Sequence, residues 1–216
     1  MPPRLPRKRL AMLLSQLAGF PEPNPTEEQY EVSDDVAATM VFTAASHGDV
    51  EDRVVYDLGC GPGRLALGAA LLGAKRVVAV DIDSKALKVA ERNAEQLGVQ
   101  NRIEFIRQDV ETLTGKADTV LMNAPFGVQK AHADQPFLRK ALELADVVYS
   151  LHKASETGRS FIATYVAQLD GQISFVQELG MALRATMAFH QKRRHIIRVD
   201  FYRIKRIGIT HDKSKD

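Results

Sequence analysis

Four short segments carry side chains that could do chemistry, and each directly follows an apolar run. The first is Asp57-Leu58-Gly59-Cys60-Gly61-Pro62-Gly63. Glycines at alternate positions let a chain turn sharply off a strand and let a ligand approach bare backbone. A dinucleotide fingerprint would need a third glycine three positions beyond Gly61, where Arg64 stands, and a phosphate loop would need a Gly-Lys-Ser/Thr ending, which is absent. What remains is the acidic-x-GxGxG pattern that holds S-adenosylmethionine; read alone, the segment could also be a tight turn. The second is Asp81 in Val80-Asp81-Ile82-Asp83. A carboxylate there can accept from both hydroxyls of a ribose, with Ile82 offering an apolar face to adenine. Asp83 or Ser84 reads as a helix cap. The third, Asp109-Val110, could accept from the adenine amino group and present an amide to a ring nitrogen; taken singly, Asp109 would be a turn residue.

The fourth segment, Asn123-Ala124-Pro125-Phe126, points to the reaction. An exocyclic amine on a base is a weak nucleophile because its lone pair is delocalised into the ring. A site must therefore hold it in line with the methyl–sulfonium bond and favour the tetrahedral, charged transition state. The Asn123 side-chain oxygen and the Ala124 carbonyl can both accept N–H bonds, Pro125 fixes the backbone between them, and Phe126 offers a face on which an extruded base can stack. An Asn-Pro-type turn after a strand is the alternative for the tetrapeptide alone.

These segments must be positioned by the elements before them. Short apolar runs at 54–58, 76–80, 103–107 and 119–122 read as strands buried on both faces, alternating with helices over 64–72 and from Ser84 to Gly98. The alternation continues with a helix over 136–145, a strand at 147–149 and a helix near 157–169. A hairpin of 182–189 and 196–204 is expected last. Upstream, Leu10, Leu13, Leu14 and Leu17 form a one-sided helical stripe, a Pro-rich stretch from Phe20 to Thr26 reads as an extended connector, and a second helix is expected over Asp34 to Ser46. Alternating elements with short connections imply a parallel sheet with helices on both faces, whose ligands bind beyond the carboxyl ends of the strands. All four segments fall there.

The 216 residues, 45% hydrophobic and 26% charged, are those of an ordinary globular protein. One cysteine, Cys60, rules out a disulfide framework, and 6 scattered His offer no metal-ligand spacing. No run is long and apolar enough for a membrane span, and the first residues lack a secretory h-region, so a cytoplasmic location is expected. The net charge of +2 is lopsided: +4 over residues 1–20, +6 over 190–206 and −8 over 21–189. Two basic ends that met in space would suit a polyanion; solvated tails are the plainer reading. His190, Lys192, Arg193, Arg194 and His195 form a run that could reach phosphates over the active-site face, and Lys130 and His132 lie on a candidate substrate-facing loop. His132, His152 and His190 are given no chemical role.

Together these residues resemble the adenine-N6 methyltransferases of the Asn-Pro-Pro-Phe type. More closely, the chain resembles the ribosomal-RNA adenosine methyltransferases of the methyltransferase-like protein five family and their archaeal relatives. The likeness extends to Glu28-Gln29-Tyr30, Arg92-Asn93-Ala94, Ala131-His132-Ala133-Asp134 with Pro136-Phe137-Leu138, Val148-Tyr149-Ser150-Leu151-His152, and Phe189-His190. It implies a Rossmann-like seven-stranded class I S-adenosylmethionine-dependent methyltransferase fold over 49–210, an N-terminal helical extension and cofactor-covering segment over 1–48, and a polar tail over 211–216. It implies S-adenosylmethionine as donor and an adenosine of small-subunit ribosomal RNA as acceptor. Gln29, Gly59, Pro62, Arg64, Asp81, Asp109 and Val110 should line the cofactor, and Asn123 to Phe126 should hold the adenine. Ala124 stands at the family's second position, where the carbonyl would act, and Val32 replaces a threonine hydroxyl. Family members pair with a small zinc-binding activator protein that adds a strand at the sheet edge, for which Ile103–Arg107 is the candidate here; a covered edge in a self-sufficient monomer is the alternative. Two rivals remain: a protein-glutamine or DNA-adenine methyltransferase, and a non-catalytic RNA-binding scaffold.

Overall fold

The structure is a computed structural model that describes residues 5–21, 31–125, 134–183 and 195–207. The expected roles of Gln29, Phe126, Lys130, His132, His190 and Lys192 to Arg194 lie outside these residues. Seven strands form one sheet in the order β3-β2-β1-β4-β5-β7-β6. They are β1 (Val54–Leu58), β2 (Arg76–Asp81), β3 (Ile103–Arg107), β4 (Ala117–Met122), β5 (Ala145–Lys153), β6 (Gly171–Leu183) and β7 (His195–Arg206). The first five run parallel, and β7 inserts antiparallel between β5 and β6. The five parallel strands are what the strand-helix alternation predicts, and the seven-stranded sheet is the one the family resemblance implies.

Alternate strand residues feed the two faces of the sheet. Val55, Val77, Ala79, Leu121, Tyr149 and Phe201 point to one core, with α1 (Arg7–Ser15), α2 (Asp34–Ser46), α3 (Arg64–Leu71) and α4 (Ser84–Leu97) packed on it. Tyr56, Val78, Val80, Val120, Met122 and Val148 point to the other, beneath α5 (Asp134–Leu144) and α6 (Glu156–Gln168). Coverage of both faces is why the parallel strands read as continuous apolar runs. The leucine stripe of α1 buries Leu10 and Leu14, with Leu17 just past its end. Asp83 rather than Ser84 caps α4, accepting from the Lys85 amide at 2.8 Å, and Gly98 closes that helix in the left-handed conformation (φ +67°).

The last hairpin differs from expectation. Its second strand covers the expected 196–204, but the first is Gly171–Leu183, overlapping the expected 182–189 only at Ala182 and Leu183. The cause is its place at the sheet edge. Gln172, Ser174, Gln177 and Glu178 are exposed and a register irregularity falls between Ile173 and Phe175, so no apolar run marks the strand.

A buried polar cluster joins distant parts of the chain behind the sheet. Asp49, in the turn before β1, accepts from the Tyr149 hydroxyl at 2.6 Å and from Arg203 Nη2 at 2.8 Å. Burial and the Asp49 carboxylate together push the Tyr149 hydroxyl pKa up, so it stays a donor. Removing Asp49 would leave the buried Arg203 without its counter-charge. Asp49→Ala should lower the unfolding free energy by about 3 kcal/mol, read as a lower urea midpoint at unchanged m-value.

Candidate active site

The sheet reverses its strand order at β1, which has β2 on one side and β4 on the other. Leu58 lies opposite both Val80 and Met122, so the segments leaving β1, β2 and β4 emerge side by side. The glycine turn is pinned to the end of β2. Val80 carbonyl oxygen accepts from the Gly59 amide at 2.9 Å and the Cys60 amide at 3.0 Å, and the Gly61 amide donates to Asp81 Oδ2 at 2.7 Å. Asp81 Oδ1 accepts from the Asp83 amide at 2.9 Å. Both carboxylate oxygens are thus aimed by backbone, each with a lone-pair direction to spare. Gly59 and Gly61 take φ of +69° and +51°. A methyl group on Gly61 would also meet the Phe20 ring at 2.7 Å, so both backbone angle and space require glycine there.

Asp57 closes the floor. It is 1% exposed, and its Oδ2 accepts from the Ala66 amide at 2.8 Å at the start of α3. Its Oδ1 is buried with no hydrogen-bond partner among the described residues. Burial, chiefly, and repulsion from Asp81 push its pKa up to about 7 against the Ala66 bond. Asp81 is raised by burial as well, with the Asp83 and Gly61 amides opposing. The Cys60 thiol, buried in the turn, is pushed well up and stays protonated, which removes it as a nucleophile.

A strap from the N-terminal extension runs over this turn. Asn93 of α4 exchanges two hydrogen bonds with the Ala18 backbone, at 3.1 and 3.0 Å, and donates to the Pro62 carbonyl at 3.0 Å. Arg64, 1% exposed, forms ion pairs with Glu31 and, through Nε at 2.7 Å, with Asp34. It lines the cleft as expected, but its guanidinium is turned towards its own chain and fastens the start of α2.

The resulting cleft encloses about 210 Å³. It brings together Asp57, Gly59, Cys60, Gly61 and Pro62 from the first segment with Arg64 just after it, Asp81 and Ile82 from the second, and Asn123 and Pro125 from the fourth. Ile82 is 64% exposed, an open apolar face beside the Asp81 carboxylate. Ala124 is buried in the core below, where a small side chain fits. Asp109 and Val110 follow β3 beside Asp81 but do not line the cleft. Asp109 is exposed and caps a short turn through the Glu111 amide at 2.9 Å, and Val110 packs into the core. Four residues with no role assigned from the sequence also line it, Phe20, Glu31, Leu65 and Phe137, together with Val32, which stands at the family's threonine position. Phe137 is the fourth residue of α5, with its ring 3.0 Å from where a Gly59 side-chain carbon would stand.

These features fit S-adenosylmethionine. A buried carboxylate oxygen without a partner suits the cofactor's ammonium group, the preset Asp81 pair suits ribose hydroxyls, and the bare glycine turn admits a close ligand. No group of three or more metal-ligating side chains occurs among the described residues, and no described helix is long and apolar enough to cross a membrane.

The raised Asp57 pKa sets a pH dependence. Folded Asp57 keeps its proton above pH 3.8, where the unfolded chain releases it. Its contribution to stability is therefore full below that pH and is lost as pH rises through about 7. Between pH 4 and 8 the ligand-free chain should lose on the order of 3 kcal/mol relative to Asp57→Asn, measured as the difference in urea-unfolding free energy at each pH.

The model of the ribosomal protein L11 methyltransferase (PrmA) family matches residues 38–126, the part that holds the glycine turn, Asp81 and Asn123. The rRNA N(6)-adenosine-methyltransferase Mettl5 of Drosophila melanogaster is 37% identical over 94% of this chain and 97% of its own length. The METTL5 protein of Danio rerio is 37% identical over 91% and 97%. A crystal structure of a candidate RNA methyltransferase from Pyrococcus horikoshii superposes with a TM-score of 0.87 at 38% identity, over 94% of this chain and 98% of that one. The glycine turn, the strand-end carboxylates and the Asn-Ala-Pro segment thus sit in a chain that matches these relatives over more than nine-tenths of its length: it belongs to the METTL5 family of rRNA N6-adenosine-methyltransferases and is an S-adenosylmethionine-dependent methyltransferase.

Proposed function

We propose that the chain transfers a methyl group from S-adenosylmethionine to the N6 amine of an adenosine in small-subunit ribosomal RNA, in the cytoplasm. The observation that carries this reading is the place of Asn123. It leaves β4 one residue beyond Met122, across from the end of β1, and lines the same cleft as Asp57, Gly59 and Asp81. An amine-binding group and a cofactor turn are thereby held on one rigid sheet.

The bound cofactor supplies an electrophilic methyl on a sulfonium. Asn123 Oδ1 and the Ala124 carbonyl accept the two N–H bonds of the amine and so turn its lone pair towards that methyl. As the nitrogen becomes tetrahedral and positive, those two oxygens bind it more tightly than they bind the planar amine, which lowers the barrier. With the cofactor held by Asp57, Asp81 and the glycine turn, the amine positioned by Asn123 and Ala124 would take the methyl, the bonding electrons staying on sulfur, and would release one proton to solvent. Phe126, two residues beyond Ala124, would stack on the base; Gln29 and Asp109 with Val110 remain assigned to the cofactor by the family likeness.

Two finer points belong to the same proposal. The small-subunit acceptor follows from the family likeness, and ribosomal RNA from the names of relatives that match more than nine-tenths of the chain, whereas the protein-methyltransferase family model matches only 38–126. A small zinc-binding activator protein would dock on β3. That strand is an edge of the sheet, bonded on one side to β2 alone, with Glu104 and Arg107 exposed.

Asn123→Ala should cut kcat by about 10²–10³ while leaving cofactor affinity in calorimetry nearly unchanged, because its bonds go to the amine. Retained turnover, or lost cofactor binding, would contradict the assigned role. Mapping N6-methyladenosine in ribosomal RNA from cells with and without the gene should show one position lost from the small subunit; loss from the large subunit, or methyl label on protein alone, would overturn the acceptor.

A further inference from the structure

The mechanism above makes no use of a buried polar group beside the site. His152, near the end of β5, is 5% exposed. Its Nδ1 lies 3.0 Å from Asp134 Oδ2 and its Nε2 lies 3.1 Å from Ser150 Oγ. An ionised carboxylate only accepts, so Nδ1 carries the proton, and in the neutral ring Nε2 accepts from the Ser150 hydroxyl. The Tyr202 ring packs edge-on against it at 5.7 Å. Ser150 itself lies across from Met122, the residue before Asn123.

Asp134 is the first residue of α5. The opening turn of a helix has amides without intrahelical partners, and here Pro136 contributes none. The position of that turn therefore depends on outside contacts. Among the described residues, such contacts include the His152 ring on Asp134 and the Tyr165 hydroxyl of α6 on the Gln135 carbonyl at 3.4 Å. Two residues beyond Gln135 is Phe137, whose ring stands over Gly59 and lines the cleft with Asn123 and Pro125. A shift of α5 at its first turn would carry that ring away from the glycine turn, and side-chain displacements of about 1 Å at such a site are costly.

We propose that His152 is a positioning residue for the cofactor site: through Asp134 it sets the first turn of α5, and through that turn it holds the Phe137 ring as one wall against S-adenosylmethionine. Phe137 makes the contact; His152 makes none. The ring offers the cofactor an apolar, polarisable face, and the negative face of an aromatic ring favours a nearby cation such as a sulfonium.

The test is a double-mutant cycle read by calorimetry of S-adenosylmethionine binding to the full chain, with wild-type binding as the control on the cofactor assignment itself. Phe137→Leu and His152→Ala should each raise Kd by about tenfold. The double variant should be no weaker than Phe137→Leu alone, since both changes act through one ring. His152→Gln, which keeps an N–H for Asp134, should recover most of the lost affinity. In steady state, His152→Ala should raise KM for the cofactor while kcat at saturating cofactor stays near that of the wild type, a split that general loosening of the fold would not give. Should His152→Ala fail to fold, Asp134→Ser takes its place in the same cycle. Additive losses in the cycle, an unchanged Kd on removing the ring, or an unchanged Kd in a folded His152 or Asp134 variant would each overturn the proposal.

Discussion

The site depends on three amide hydrogen bonds that bind the glycine turn to the end of its neighbouring strand. Val80 carbonyl takes two of them and the Asp81 carboxylate takes the third. The loop that must admit a ligand and the carboxylate that must hold its ribose are thus one rigid unit, set by the register of β1 against β2. A turn with three left-handed glycines would otherwise be costly in conformational entropy. Its alternatives are removed by strand-end groups that the sheet already holds in place. Asn93 then ties the strap at Ala18 to Pro62 in the same turn, so the N-terminal extension shares the constraint.

What could be read from the sequence follows from which signals are local. The glycine spacing, Asp81 at a strand end and Asn123 after an apolar run are contiguous patterns, and all three line the cleft. The buried parallel strands announce themselves because both faces are covered. The edge strand β6 does not, because one side of it meets water and its pattern breaks at an irregularity. Phe20, Glu31 and Phe137 reach the cleft through tertiary packing alone. Phe20 sits beyond the end of a helix and Phe137 inside one, and nothing in their immediate neighbours distinguishes them from core aromatics. Arg64 shows the converse. It lies at the expected place in the turn, yet the carboxylates that claim its guanidinium, Glu31 and Asp34, are about thirty residues away in sequence.

Placing three carboxylates in one cleft has a cost that the structure offsets unevenly. Asp81 is raised by burial against two opposing amides, whereas Asp57 has only one for its two oxygens and is pushed up to about 7. Glu31 has Arg64. The ligand-free site is thus short of positive charge at Asp57, the place where a cofactor ammonium would provide it. Burial that weakens the empty site is what gives the cationic ligand its electrostatic advantage, because the same low-dielectric surroundings strengthen the pair once formed.

The same charge pattern bears on the acceptor. On the proposed reading the substrate is a polyanion, and in a cleft where Arg64 already matches Glu31 it is the Asp81 carboxylate, beside Asp57, that would repel its phosphates. A nucleobase is uncharged and can enter where the backbone cannot. The acidic cleft and the excess of basic residues at the two ends of the chain therefore favour one arrangement: phosphates kept outside and a single unstacked base passed inward to Asn123. Selectivity for a base over the strand that carries it would then require no separate recognition domain. It would follow from the carboxylates that the cofactor already demands.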